Sequence, residues 1–382
     1  MRRAAWVVAV GGIAGIAMPI AMPAVARAEP WILTMETGAE ADSNVERVET
    51  GNGIDATPIA APVGRAGARI DHKGRILGGA YALDVSGLMR LVPNKQAEHE
   101  NVMLYAGEAR WLHPIPNQPV AAGAAITAAD ALAITGGTGA RTFRNLGVDA
   151  LLALSKGDDA RLTLAAGLRD FVYKPDRTYD WHGPVASARL DVVLWQPEPK
   201  THSLDLAATL GFEQRAYAGH AATNLCPPDT AASSECSMTT TLTRRDRYQR
   251  AGVELAWIGD IVATAGYQLL VVDSNSYGQS LIRHRITSAI TAELADRLFA
   301  TLTATLQLDQ FPDGILVESD VQRQEFTNLE DENRSSIQLR VAREVTAAWS
   351  LEARGAVWRD FGNTGGESFR RELVYAGVVY SH

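Results

Sequence analysis

The stretch Leu298 to Asp309, LFATLTATLQLD, alternates almost without a break. Leu298, Ala300, Leu302, Ala304, Leu306 and Leu308 are apolar, whereas Thr301, Thr303, Thr305, Gln307 and Asp309 are polar, with Phe299 the one exception. Consecutive side chains of a strand point to opposite faces, so this segment has one greasy face and one wet face. A tilted strand crosses a bilayer in about 9–11 residues, and the stretch has that length. Strands of soluble sandwiches alternate in the same way, so recurrence along the chain decides between the two.

The template recurs. Working outward from 297–310, strands are expected at 31–44, 63–74, 77–92, 101–112, 120–133, 141–155, 160–173, 183–196 and 202–217. Further ones are expected at 245–258, 260–273, 280–295, 332–345, 347–361 and 368–381. The total is about 16, an even number as in bacterial single-chain barrels with both ends in the periplasm. Short connections alternate with long ones, the second signature of such a barrel. KGDDA (156–160), IGD (258–260), ADR (295–297) and VTA (345–347) are short; 45–62, 174–183, 218–244 and 311–331 are long. The chain therefore reads as all-β: a closed antiparallel transmembrane β-barrel. HPIPNQP (113–119) is long for its side and VAAGAAITAADALAI (120–134) is rich in alanine, so residues 119–135 fit a strand or a helix.

The N-terminal MRRAAWVVAVGGIAGIAMPIAMPAVARA has a charged start, an apolar core and a small-residue site at Ala26-Arg27-Ala28. It is expected to be a signal peptide over 1–28, leaving 29–382 as the barrel in the outer membrane of a Gram-negative cell. Beyond Glu29 no apolar run reaches the roughly 18 residues of a transmembrane helix. A net charge of −8 and a pI near 5.6 argue against nucleic acid as a partner. Cys226 and Cys236 lie in one polar segment, where an oxidising compartment favours a local disulfide.

On the parity set by the greasy face, charged residues collect on the other one. Glu36, Asp84, Glu108, Asp191, Glu213 and Glu254 are expected to line the lumen with Arg69, Arg90, Arg110, Arg169, Arg189 and Arg215. Arg250, Arg283, Arg285, Arg340 and Arg354 join them, as do Glu40, Asp149, Arg161, Asp309, Glu352 and Arg371. The signs are nearly balanced and interleave along strands, as in Arg189 with Asp191 and Glu213 with Arg215. Guanidinium and carboxylate form bidentate pairs, so this lining can be a fixed polar network, a hydrated path for a polar solute, or both. Enzyme chemistry finds no footing: no metal spacing, P-loop or nucleophile elbow occurs, and His284 falls on the lipid face with Ile282 and Ile286. Neither a cofactor nor a metal is expected.

RRELVYAGVVYSH (370–382) resembles the assembly signal of Gram-negative outer-membrane barrels, with Gly377 and Tyr380 at the expected spacing and His382 where an aromatic residue is usual. GAEADSNVER (38–47), with its Asp-Ser-Asn, and NLEDENRSS (328–336) resemble porin-like barrels associated with exopolysaccharide export. That resemblance implies translocation of polysaccharide across the outer membrane. The partners it implies are membrane lipids and lipopolysaccharide, the barrel-assembly machinery and a periplasmic polysaccharide-export protein. A diffusion porin and a structural or adhesive barrel with a plugged lumen are the alternatives.

Overall fold

A computed structural model describes residues 31–48, 50–51, 57–135, 141–197, 201–225, 237–313, 334–359 and 367–382. The segment 1–28 expected to be a signal peptide, the cysteine pair expected to form a disulfide and the acidic stretch 328–333 lie outside them. Sixteen antiparallel strands close into one barrel. In chain order they begin with β1 (Ile32–Asp42), β2 (Ala61–Ile76), β3 (Gly79–Leu91), β4 (Val102–Pro114), β5 (Val120–Ala133) and β6 (Phe143–Lys156). Next come β7 (Ala160–Tyr173), β8 (Trp181–Trp195), β9 (Ser203–Asn224), β10 (Ser237–Ile258) and β11 (Ile261–Ser274). The circuit ends with β12 (Leu281–Ala295), β13 (Leu298–Gln310), β14 (Ser335–Glu344), β15 (Trp349–Arg359) and β16 (Arg370–Ser381). Each strand pairs with its neighbours in sequence, and β16 returns to β1 with Gly377 opposite Gly38. Closure leaves no free strand edge, which is what a sheet in lipid requires.

The alternation that marks β13 explains why this sequence closes. Leu302, Leu306 and Leu308 are exposed on its outer face, while Thr301 and Gln307 are buried on the inner one. Neighbouring strands continue the belt with Ile286, Ile290, Leu339 and Leu351, and the opposite side does so with Leu168, Leu190, Leu210 and Phe212. An apolar surface running round a closed barrel is the face of a transmembrane barrel, since water would drive it into aggregates.

At the rim carrying the short turns, aromatic residues point outward. Trp31 stacks on His72 at 3.9 Å, Trp195 on Trp257 at 5.6 Å, Trp111 lies 5.7 Å from His113, and Trp349 lies 5.0 Å from Tyr380. Trp195 reaches this face through a bulge: Leu204 pairs with Trp195 but Asp205 pairs with Val193, so Leu194 is the extra residue.

Three details differ from, or resolve, the sequence-based expectation. Residues 120–133 form a strand, because Ala121, Ala125 and Ala131 pack on the inner face while Ile126 and Leu132 are exposed outside. The long segment 218–244 shortens, since β9 runs to Asn224 and β10 starts at Ser237, with register shifts around His220. The long-loop side is not uniformly long: β11 reaches β12 through 275–280, where Asn275 accepts a hydrogen bond from the Arg245 amide, 2.8 Å, and donates to the Thr243 carbonyl, 3.0 Å.

Candidate functional site

The inner wall holds the polar chemistry, and the register decides which groups meet. Near the long-loop end of the closure seam, Arg90 on β3 donates to Glu40 at 2.9 Å and to Asp42 at 3.2 Å. Arg371 on β16 donates to Asp42 at 2.6 Å while lying 4.8 Å over the Trp358 ring. Midway down the same wall, Glu36 accepts from Arg65 at 2.8 Å and from Arg354 at 2.9 Å, joining β1, β2 and β15. Arg354 also reaches Glu352, which Arg340 of β14 engages in turn. Lower still, Arg69 holds Asp71 and Asp84, and Arg110 holds Glu108.

Around the circuit the pattern continues. Arg169 forms a bidentate pair with Asp149, both distances 2.8 Å, and Arg189 donates to Asp191 at 2.8 Å. Glu213 takes Arg215 at 2.6 Å and Arg250 at 3.2 Å. Arg283 is bidentate to Asp309, both 2.9 Å. Arg285 stands opposite Gln268 and Gln307 in the register, and Glu254 is exposed on the inner face of β10. Most of these charged side chains are occupied by one another. Such fork-to-carboxylate bonds fix side chains in place and cancel much of their charge.

Sequence reasoning passed over two parts of this wall. Arg244, in what read as a loop, and Asp246, at the start of the expected strand 245–258, form a buried bidentate pair, 3.2 and 2.6 Å; continuing the even parity of β10 upward identifies them. The other part is aromatic. Phe143, Phe171 and Trp181 stack in succession at 5.8 and 5.6 Å on β6, β7 and β8. The row goes on through the Arg215 guanidinium, which is held between Trp181 at 4.3 Å and Tyr248 at 3.8 Å. These rings have the parity of Asp149, Arg169 and Arg189, so their inward direction was available from the alternation. With Val102, Leu104, Ala131, Tyr173 and Tyr217 they make a buried apolar band inside the long-loop mouth.

No protein-family model matches the sequence, and no curated protein is similar to it. Among solved structures, OmpT of Vibrio cholerae, described as an outer membrane protein, is 11% identical; the match covers 93% of this chain and 100% of that one, with a TM-score of 0.39. OccAB1 of Acinetobacter baumannii is 10% identical over 92% of this chain and 96% of its own, with a TM-score of 0.41. A porin variant from Rhodopseudomonas blastica is 9% identical over 92% and 99%, with a TM-score of 0.37. Similarity at this level carries no cargo over to this chain, and the fold rests on the strand order itself.

Proposed function

We propose that the chain is an outer-membrane channel for a hydrophilic solute, and that its cargo is polysaccharide. The supporting observation is the contrast between the two faces of one closed sheet: lipid-matched outside, and inside a wall of Arg–carboxylate pairs with the Thr and Gln column of β13. Sugars are neutral or mildly charged and dense in hydroxyls, so a lining that offers donors and acceptors while cancelling its own charge suits them. On this reading Glu36, Arg69, Asp84, Glu108, Arg110, Arg169, Arg189, Arg340 and Arg354 border the path. Lipopolysaccharide, the barrel-assembly machinery and a periplasmic export protein are the partners that go with it.

A diffusion porin without a preferred cargo is the second reading, favoured by the same balance of charge. A structural barrel is the third, favoured by the buried aromatic band inside the mouth. Single-channel conductance of the refolded protein in a planar bilayer, with neutral maltooligosaccharides of increasing length as blockers, separates them. Stable conductance with length-dependent block is the expected result. Conductance indifferent to sugar turns the assignment to a diffusion porin, and a silent inserted barrel rejects the open channel.

A further inference from the structure

Arg161 differs from the inner-wall arginines around it. It lies on β7 one residue after Ala160, at the short-turn end of the lumen, directly opposite Asp191 in the register. Asp191, however, accepts from Arg189 at 2.8 Å, and Glu108 is taken by Arg110. Arg161 is left with no hydrogen bond or ion pair among the described residues, and its Nε is covered and unpartnered. Its charged neighbours are a second cation, Arg110, and the already committed Asp191.

The wall between Arg110 and Arg161 supplies no substitute. Across it run Leu112, Gly123, Leu151 and Ala165 in one register row and Ala121, Ala153 and Thr163 in the next. Leu112, Ala121, Ala125, Leu151 and Ala153 are buried together there as an apolar floor. An unpaired guanidinium beside a floor that carries no carboxylate, only the hydroxyls of Ser155 and Thr163 at its edge, is a place where an oxyanion gains more than it does in open water. Carboxylate and phosphate both match the planar fork.

We propose that Arg161, with Arg110 across the apolar floor, forms an anion-binding step at the short-turn mouth that takes carboxylate- or phosphate-bearing segments of the solute. This rests on the channel reading and narrows its cargo to acidic polymers. The test compares block of the refolded channel by oligogalacturonate, by a maltooligosaccharide of equal length and by short linear polyphosphate, each added on the short-turn side. One charged hydrogen-bonded contact corresponds to about a tenfold difference in affinity, so an acidic oligomer should block at roughly a tenth of the neutral concentration. In Arg161→Gln the acidic and neutral concentrations should converge. Preference for oligogalacturonate over polyphosphate assigns the step to carboxylates, and the reverse assigns it to phosphates. Equal block by acidic and neutral oligomers, or an acidic preference that survives Arg161→Gln, overturns the proposal. If the barrel is silent the channel reading fails by itself, and titration calorimetry of oligogalacturonate and polyphosphate into the detergent-solubilised protein then decides. Heat that is lost in Arg161→Gln keeps the anion site; no heat, or heat unchanged by the substitution, removes it.

Discussion

Asp42 joins the two ends of the sheet. Its carboxylate accepts from Arg371 on the last strand, 3.0 and 2.6 Å, from Arg90 on the third, 3.2 Å, and from the Asn44 amide, 3.0 Å. Asn44 then donates to the carbonyls of Val48 at 2.8 Å and Arg370 at 3.3 Å, and accepts from the Val48 amide at 3.0 Å. Thus the Asp-Ser-Asn run that carried the resemblance has a mechanical role here, fastening the first long loop to the closure seam. Asp42→Asn leaves buried guanidiniums short of charge and should cost about 3 kcal/mol. The expected readout is a lower midpoint of thermal unfolding in detergent, and an unchanged midpoint would show that the seam does not depend on this cluster. A smaller residue-scale effect belongs to the turn between β2 and β3, where Leu77 and Gly78 both have positive φ, 52° and 73°. Left-handed backbone costs a leucine about 1 kcal/mol, and Asn-Gly is the preferred pair for this two-residue turn. Leu77→Asn should therefore raise stability by about that amount, measured by reversible urea unfolding from liposomes.

For a whole strand the decisive quantity is face, and face was legible in the sequence. The period of two placed Thr303 inward and Leu302 outward, and put Arg189 next to Asp191 and Arg215 next to Glu213, pairs that lie two residues apart on one strand and do form. Pairs across strands were not legible: Asp149 with Arg169 and Asp309 with Arg283 depend on a register that alternation alone leaves free. Strand ends above the membrane escaped for another reason. Outside the lipid belt nothing forces the outer face to be apolar, so the upper parts of β9 and β10 carry Thr, Arg and His and look like loop. The bulge at Leu194 breaks parity by one residue, which no periodic template anticipates. Face is also what a substitution within β13 tests. Leu302→Arg puts a charge into lipid and should weaken folding into liposomes by about 2–4 kcal/mol, whereas Thr303→Arg, on the inner face, should cost far less. Equal costs at the two positions would contradict the membrane-facing assignment.

At the level of the molecule the two rims differ in chemistry. Trp31, Trp111, Trp195, Trp257 and Trp349 point outward at the short-turn rim, while Trp181 and Trp358 are buried inside the barrel. Outward groups at the long-loop rim are charged instead, among them Arg144 with Asp170 at 3.9 Å and Arg247 with Asp273 at 4.0 Å. Indole settles at the level of the headgroups, where its ring meets lipid and its N–H meets water. A girdle on one rim therefore fixes the depth of the barrel from that side, and the charged rim is left to a layer of ionic headgroups. Quenching of tryptophan fluorescence in liposomes checks this directly, because five of the described tryptophans sit at one depth and the two interior ones are shielded from lipid. Lipids brominated near the headgroup should quench more than lipids brominated near the chain end. The opposite order would place the girdle inside the hydrocarbon, shift the belt by several residues along every strand, and move Arg161 away from the mouth where its free charge matters.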